Sequence, residues 1–190
     1  MSTDFRKSTV YQIYPKSFCD TNGDGLGDLR GVIEKLDYIK ELGADYIWLT
    51  PFFVSPQNDN GYDVEDYYQI DPRYGTMEDV EELIAKAAER GIGLMFDMVF
   101  NHVSTRHQWF RRAMEGDPYY KEFFFFRRGR AKGQPPTNWE SKFGGSAWEY
   151  VEKFDEYYLH LFDVTQADLN WDNENVRREV QKIVRFWMDK

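Results

Sequence analysis

The sequence predicts an α/β chain built on parallel strands, and three observations carry that prediction. Short β-branched or aromatic runs alternate with stretches of helical spacing. Each of the first two helical stretches ends on a glycine shortly before the next strand (Gly43 before Tyr46, Gly91 before Gly93). The first two strands are each followed by a long polar loop before the next helix begins.

The first strand is Val10-Tyr11-Gln12-Ile13-Tyr14, stopped by Pro15. After a polar loop from Cys19 to Asp28, Leu29, Val32, Ile33, Leu36, Ile39 and Leu42 recur at the spacing of one helix, closed by Gly43. Tyr46-Ile47-Trp48-Leu49 is the second strand, ended by Thr50-Pro51, and its loop runs to about Gly75. Thr76 suits an N-cap, with Asp79 three residues on in the manner of a capping box. Val80, Leu83, Ile84, Ala87 and Ala88 give the next helix its apolar face. The third strand, Gly93 to Val99, is a nearly continuous apolar run, as expected when both faces are buried. In such folds the loops after the strands carry the site.

The pattern is then interrupted. From about Ser104 to Asn170 there is no clean period, but a basic run (Arg127, Arg128, Arg130, Lys132), Pro135-Pro136 and many aromatics. This segment is read as a loop-rich insertion forming a small subdomain, with most of its rings serving as its own core and one or two walling a pocket. Helical spacing returns at Val176, Val180, Ile183, Val184 and Trp187, and a fourth strand falls due where the sequence stops at Lys190. The expected organisation is therefore 1–103, an insertion at 104–170, and a helix at 171–190. Either this is a small complete α/β domain, or it is the first part of a barrel.

Composition narrows the function classes. The 190 residues are 42% hydrophobic and 30% charged, as in a globular chain. A net charge of −9 argues against coating a nucleic acid. No apolar run is long enough to span a membrane, and Met1 to Val10 has no apolar leader core. A single cysteine, Cys19, excludes a disulfide framework and points to a reducing compartment, so a cytoplasmic location is expected. The 15 Phe, 6 Trp and 13 Tyr can fill a core or stack on flat ligands.

Three clusters could carry chemistry. Asp20, Asn22, Asp24 and Asp28 place oxygen-bearing side chains at every second position or nearly so, with Gly25 for a sharp turn and the Leu26 carbonyl beside them. Such a loop can gather oxygens around Ca²⁺. It is not an EF-hand, because the twelfth position is Gly31 where a bidentate Glu is needed; the plain alternative is an Asp/Asn/Gly turn without an ion. Asp97, Asn101 and His102 lie at the exit of the third strand, suited to a site or to satisfying the strand ends. The five-residue spacing of His102 and His107 does not suit zinc on one helix face. Asp59-Asn60-Gly61-Tyr62-Asp63 adds carboxylates and a ring on a glycine-permitted turn. The basic run is a solvated loop or an anion-binding edge.

Val10–Pro15, Asp20–Asp28, Asp59–Asp63 and Asp97–His102 together resemble the alpha-amylase family of glycoside hydrolases, across essentially the whole chain. Gln166-Ala167-Asp168-Leu169-Asn170 resembles the marker pentapeptide of the oligo-1,6-glucosidase branch, with Ala167 in place of the usual Pro. Pro136 to Ser146 and Tyr157 to Asn170 look most like the trehalose-6-phosphate hydrolase group within it. The resemblance implies a (β/α)₈ barrel of which this chain holds the first three βα units, with a subdomain inserted after strand three. It implies that Asp59, Tyr62, Asp97 and His102 hold a glucose ring, Tyr62 by stacking, with Phe143, Phe162 and Gln166 also facing the pocket. It matches Asp20, Asn22, Asp24, Leu26 and Asp28 to a structural Ca²⁺ loop, with no organic cofactor.

The resemblance further implies a retaining glycosidase that splits trehalose 6-phosphate into glucose and glucose 6-phosphate. The alternatives are another α-glucosidase of the branch, or a non-catalytic piece that binds Ca²⁺ and sugar. Retaining chemistry needs a nucleophile and an acid/base about 5–5.5 Å apart. In the family these sit at strands four and five, with an assisting Asp after strand seven, all beyond Lys190. No catalytic residue is therefore expected in this chain, which is expected to be inactive alone. Its partner is a small carbohydrate, not nucleic acid or membrane. A full-length relative is expected to be a monomer, and the isolated chain to self-associate through its open sheet edges.

Overall fold

The computed structural model describes residues 5–190; the first four residues of the leader reading lie outside them. In chain order the strands are β1 (Val10–Ile13), β2 (Tyr46–Leu49), β3 (Phe53–Val54), β4 (Asp66–Ile70), β5 (Gly93–Phe96), β6 (His102–Ser104), β7 (Phe126–Arg127), β8 (Trp148–Val151), β9 (Glu156–Leu159) and β10 (Gln166–Asp168). The α-helices are α1 (Pro15–Phe18), α2 (Leu29–Glu34), α3 (Leu36–Glu41), α4 (Met77–Glu89), α5 (Gln108–Glu115), α6 (Pro118–Lys121) and α7 (Glu174–Met188). The chain forms two compact units, one of residues up to Val54 with Gln69–Met98, the other of Ser55–Tyr68 with Val99–Lys190.

The first unit is the predicted parallel α/β arrangement. Strands β1, β2 and β5 form one sheet in the order β1-β2-β5, with Val10 beside Tyr46 and Tyr46 beside Gly93. Ile47 and Leu49 of the central strand are fully buried, together with Leu29, Val32, Leu36 and Ile39 of the helices. A Cβ at Gly93 would come within 2.4 Å of the Tyr46 ring, so the cross-strand neighbour requires glycine there.

Two expectations change in this unit. The single helix after the first loop is broken at Lys35, which drops to φ −95°, ψ 5° between α2 and α3. The apolar face runs through the break unchanged, so hydrophobic spacing could not reveal it. The third strand stops at Phe96, not Val99, and its four residues are half-buried rather than buried on both faces. Its partner β2 ends just before Thr50-Pro51, and proline has no N–H to continue a ladder. Strand β5 is also the edge of this three-stranded sheet.

Helix α4 starts as the sequence predicts. The Thr76 hydroxyl accepts from the Asp79 amide (3.3 Å), and the Asp79 carboxylate accepts from the Thr76 amide (2.8 Å). Arg30 reaches the same carboxylate at 2.6 Å, tying α2 to the start of α4.

In the second unit the segment expected to be loop-rich holds short regular elements. Strands β7, β9 and β8 make an antiparallel sheet, and β6 pairs antiparallel with β10. Strands of two to four residues are too short to show a period. Their core is aromatic, as expected: Phe110 meets Phe124 and Tyr158 edge-on, each at 5.0 Å between ring centroids. Helix α7 buries Val176, Val180, Ile183 and Trp187, and Trp187 Nε1 donates to the Tyr67 carbonyl at 2.8 Å. Among the described residues no helix is long and apolar enough to cross a membrane.

Candidate functional site

The site in the second unit is built on a turn and a strand pair. Asp63 is fully buried and accepts from the Ser55 hydroxyl (2.9 Å) and from the amides of Asn58 (3.0 Å) and Asp59 (3.1 Å). Asn60 and Gly61 both take left-handed backbone (φ 50° and 100°), and the Tyr62 amide donates back to the Asp59 carbonyl at 3.0 Å. One buried carboxylate thus fixes the turn that carries Asp59 and Tyr62, in a conformation where a glycine is the natural choice.

The strand pair β6–β10 supplies the rest. Asp168 lies opposite His102 in register, and Gln166 opposite Ser104. Gln166 is fully buried; its Nε2 donates to Asp59 Oδ2 at 2.9 Å and its Oε1 accepts from the Asp163 amide at 2.8 Å. His102 Nε2 lies 3.1 Å from the Tyr62 carbonyl, and its Nδ1 lies 3.1 Å from Asn101 Nδ2. The Phe162 ring sits 5.1 Å from the His102 ring, and the Phe143 ring 6.0 Å from Phe162. Phe143 is exposed, so its face is open to solvent.

Six residues singled out from sequence, Asp59, Tyr62, His102, Phe143, Phe162 and Gln166, therefore belong to one unit, linked through hydrogen bonds and ring contacts. The seventh, Asp97, belongs to the first unit, where it follows β5 and its amide donates to the Leu49 carbonyl at 3.1 Å. Sequence analysis counted Asp63 among the carboxylates of its turn and Asp168 in the marker pentapeptide, but placed neither among the site residues. The signal for Asp168 is its position two residues after Gln166 on a strand, which places both on one face.

Burial controls the titration of the site. It lowers the His102 pKa, against the raising influence of the Tyr62 carbonyl and the charges of Asp59 and Asp63. His102 is thus a neutral hydrogen-bonding group at pH 7. Burial raises the Asp168 carboxyl, opposed by the Leu161 amide and the Asn101 amide. His107 plays no part in the cluster. It caps α5, its Nδ1 accepting from the Trp109 amide at 3.1 Å, and burial pushes it down to about 3.

The Asp20–Asp28 loop, in the first unit, is organised by its own side chains. Asp20 accepts from the amides of Asn22, Gly23 and Gly25, Asn22 from Asp24, and Asp24 from Leu26, all between 2.7 and 3.1 Å. These bonds lower the Asp20 pKa, Gly25 contributing most. Asp28 caps α2 through Gly31 (2.7 Å) and holds Thr21 with its other oxygen. The donors are all oxygens, which suits a hard cation, and Asp20 Oδ2, Asn22 Oδ1 and Asp24 Oδ1 each keep a lone pair beyond the one amide accepted. Asp28 is the most committed of the set. Among the described residues no three acidic, histidine or cysteine side chains gather as metal ligands.

The basic run is exposed. Arg127 bonds its neighbour's carbonyl at Phe126 (2.9 Å), while Arg128 and Lys132 border a cavity of about 390 Å³ with Tyr150, Asp155 and Tyr157.

The family pattern described as the catalytic domain of alpha amylase matches residues 12–190. The chain belongs to the alpha-amylase family. Membership implies a TIM-barrel type of fold, to which the parallel β1-β2-β5 sheet conforms. Within the family the chain is 57% identical over 187 residues to a trehalose-6-phosphate hydrolase of Bacillus subtilis, covering 98% of this chain and 33% of that protein. It is 52% identical over 191 residues to an oligo-1,6-glucosidase of Heyndrickxia coagulans, covering 100% and 34%. The crystal structure of Bacillus licheniformis trehalose-6-phosphate hydrolase superposes with a TM-score of 0.93 at 59% identity, covering 97% of this chain and 33% of that one. The chain thus spans about one third of the length of these alpha-amylase family relatives.

Proposed function

We propose that this chain supplies the glucose-binding part of an α-glucosidase that hydrolyses trehalose 6-phosphate to glucose and glucose 6-phosphate. The observation that carries the reading is the linked set Asp59–Gln166 and Tyr62–His102–Asn101, flanked by the rings of Phe162 and Phe143. The Asp59 carboxylate and the Gln166 amide keep acceptor and donor capacity for sugar hydroxyls, and the aromatic faces, with the His102 ring held beside Phe162, suit the C–H face of a pyranose. On this reading Asp59, Tyr62, His102, Phe143, Phe162 and Gln166 bind the ring that precedes the scissile bond. None of the chain's carboxylates is assigned as nucleophile or acid/base. Residues 1–190 alone are taken to bind sugar without turning it over.

The domain reading is a barrel portion at 1–103, an insertion at 104–170 and a barrel helix at 171–190. Asp20, Asn22, Asp24, the Leu26 carbonyl and Asp28 would hold Ca²⁺ in the first loop, a structural ion that would add to the loop's own hydrogen bonds. A charged sugar phosphate and a single cysteine both suit a cytoplasmic location.

A second reading, an oligo-1,6-glucosidase, is favoured by the 52% identity to such an enzyme. The test is glucose release by the whole protein from trehalose 6-phosphate, trehalose and isomaltose. A clear preference for the phosphorylated substrate is expected; a preference for isomaltose selects the second reading. Calorimetry of the 190-residue chain with glucose, alongside Tyr62→Ala, tests the binding role. Binding that is the same in both proteins removes Tyr62 from the site.

A further inference from the structure

We infer that Asp168 is a positioning residue that sets His102 and Phe162 together for the sugar ring, one through each oxygen of its carboxylate. The inference rests on the reading of those two residues as sugar-binding groups. Asp168 is buried, with 3% of its surface exposed, and stands directly across the β6–β10 pair from His102. Its Oδ1 accepts from Asn101 Nδ2 at 2.9 Å, and its Oδ2 accepts from the Leu161 amide at 2.6 Å. Both partners are donors, so the ionised carboxylate is the form that fits.

The Asn101 arm fixes the state of His102. The Asn101 amide nitrogen has two hydrogens; one goes to Asp168 and the other to His102 Nδ1, 3.1 Å away. His102 Nδ1 must then be an unprotonated acceptor. The ring proton sits on Nε2, where it donates to the Tyr62 carbonyl at 3.1 Å. Protonating Nδ1 as well would set two N–H groups against each other, which reinforces the effect of burial. Asp59 and Asp63 are the charges that pull the other way. The Leu161 arm fixes the neighbouring residue Phe162, whose ring lies 5.1 Å from His102. Ser141 adds a second tie there, its hydroxyl donating to the Phe162 carbonyl at 2.6 Å.

This wiring makes a specific prediction for Asp168→Asn, which keeps the shape. The Leu161 N–H needs an acceptor, so the new amide turns its oxygen there and its NH₂ toward Asn101. Asn101 then flips to present its oxygen to both neighbours. Both His102 nitrogens now face acceptors, at Asn101 and at Tyr62, and the imidazole takes up a second proton more readily.

The experiment is ¹⁵N spectroscopy of the histidine side chains in the full protein, with His102 assigned by its loss in His102→Gln, together with glucose titration. In the parent, His102 is expected as the Nε2–H tautomer across neutral pH. In Asp168→Asn its pKa is expected to rise, with both nitrogens protonated over a wider pH range, and glucose affinity to fall about tenfold. An unchanged tautomer and pKa in folded Asp168→Asn overturns the inference. Should that variant not fold, Asn101→Ala removes only the arm to His102 while leaving Asp168 on Leu161. Loss of the single tautomer supports the inference, and a parent-like ring overturns it. A shift at His102 with no change in glucose affinity leaves the wiring standing and removes the sugar-binding reading instead.

Discussion

Gln166 and Asp59 are 107 residues apart in the chain, yet the Gln166 amide donates to the Asp59 carboxylate at 2.9 Å from a fully buried position. The strand that carries Gln166 is thereby keyed to the turn that carries Asp59. Replacing the donor with a second carboxylate converts this attraction into repulsion. Gln166→Glu is expected to lose about 1–3 kcal/mol of stability at pH 7 relative to the parent. Two carboxyls at this distance share a proton on acidification, so the deficit should shrink towards about pH 5. Gln166→Leu should show a deficit that does not depend on pH. Urea unfolding of all three proteins at both pH values checks this; an equal Gln166→Glu deficit at each would count against it.

His107 should make stability depend on pH. Its folded pKa, about 3, lies below the 6.5 of an unfolded histidine because the ring is buried between Tyr67 and Trp109 and caps α5 through Nδ1. As pH falls through 6.5 the unfolded chain takes up a proton that the folded chain refuses. The stabilisation present above that pH is therefore lost on acidification. From pH 7 to pH 5 the loss from this one group is about 2 kcal/mol. His102, also lowered by burial, adds in the same direction. His107→Asn keeps a capping oxygen and does not titrate. It should be less stable at pH 7 through lost ring packing, but with a flatter profile between pH 7 and 5. A profile as steep as the parent's would show that the dependence arises elsewhere.

The first loop separates two outcomes cleanly. If Ca²⁺ binds there, stability rises with its concentration, by about 2.7 kcal/mol at one hundred times the dissociation constant. Asp20→Asn should remove most of that gain. It also weakens the Asx turns to Gly23 and Gly25, so the comparison is the increment caused by Ca²⁺ and not the baseline. Identical thermal midpoints in Ca²⁺ and in chelator would reduce the loop to a hydrogen-bonded turn.

The first unit was largely legible in the sequence because its signals are local. The Thr76–Asp79 box, the Tyr46–Leu49 strand and the apolar face of α4 each lie within one short window. What escaped there is set by neighbours. Lys35 leaves the helix without disturbing the apolar spacing, and the half-exposure of β5 follows from its place at a sheet edge. In the second unit the elements are too brief to show a period. The site was half-legible for a related reason. Residues proposed to offer groups to a ligand lie in recognisable clusters, whereas Asp63 and Asp168 are buried behind them and bonded to neighbouring groups. Asp168 has a partner 67 residues away, and no local pattern encodes such a pairing.

Asp63 gives the sharpest test of how the site is held. It is fully buried, and its two oxygens take the Ser55 hydroxyl and the amides of Asn58 and Asp59. Asp63→Ala leaves those buried donors unsatisfied, and each such group costs about 1–3 kcal/mol, so a large loss of stability is expected. Asp63→Asn is more discriminating. One end of the amide is a donor, so at least one of the three bonds is replaced by a donor facing a donor. The turn at Asn60–Gly61, held in left-handed backbone, should loosen, and glucose binding should weaken more than in Glu65→Gln, a nearby substitution outside these bonds. Hydrogen exchange at the Asn58 and Asp59 amides, which donate to Asp63, reports the loosening directly. Faster exchange there together with weaker glucose binding is the expected result. Unchanged exchange with weaker binding would mean that Asp63 acts on the ligand itself and not through the turn.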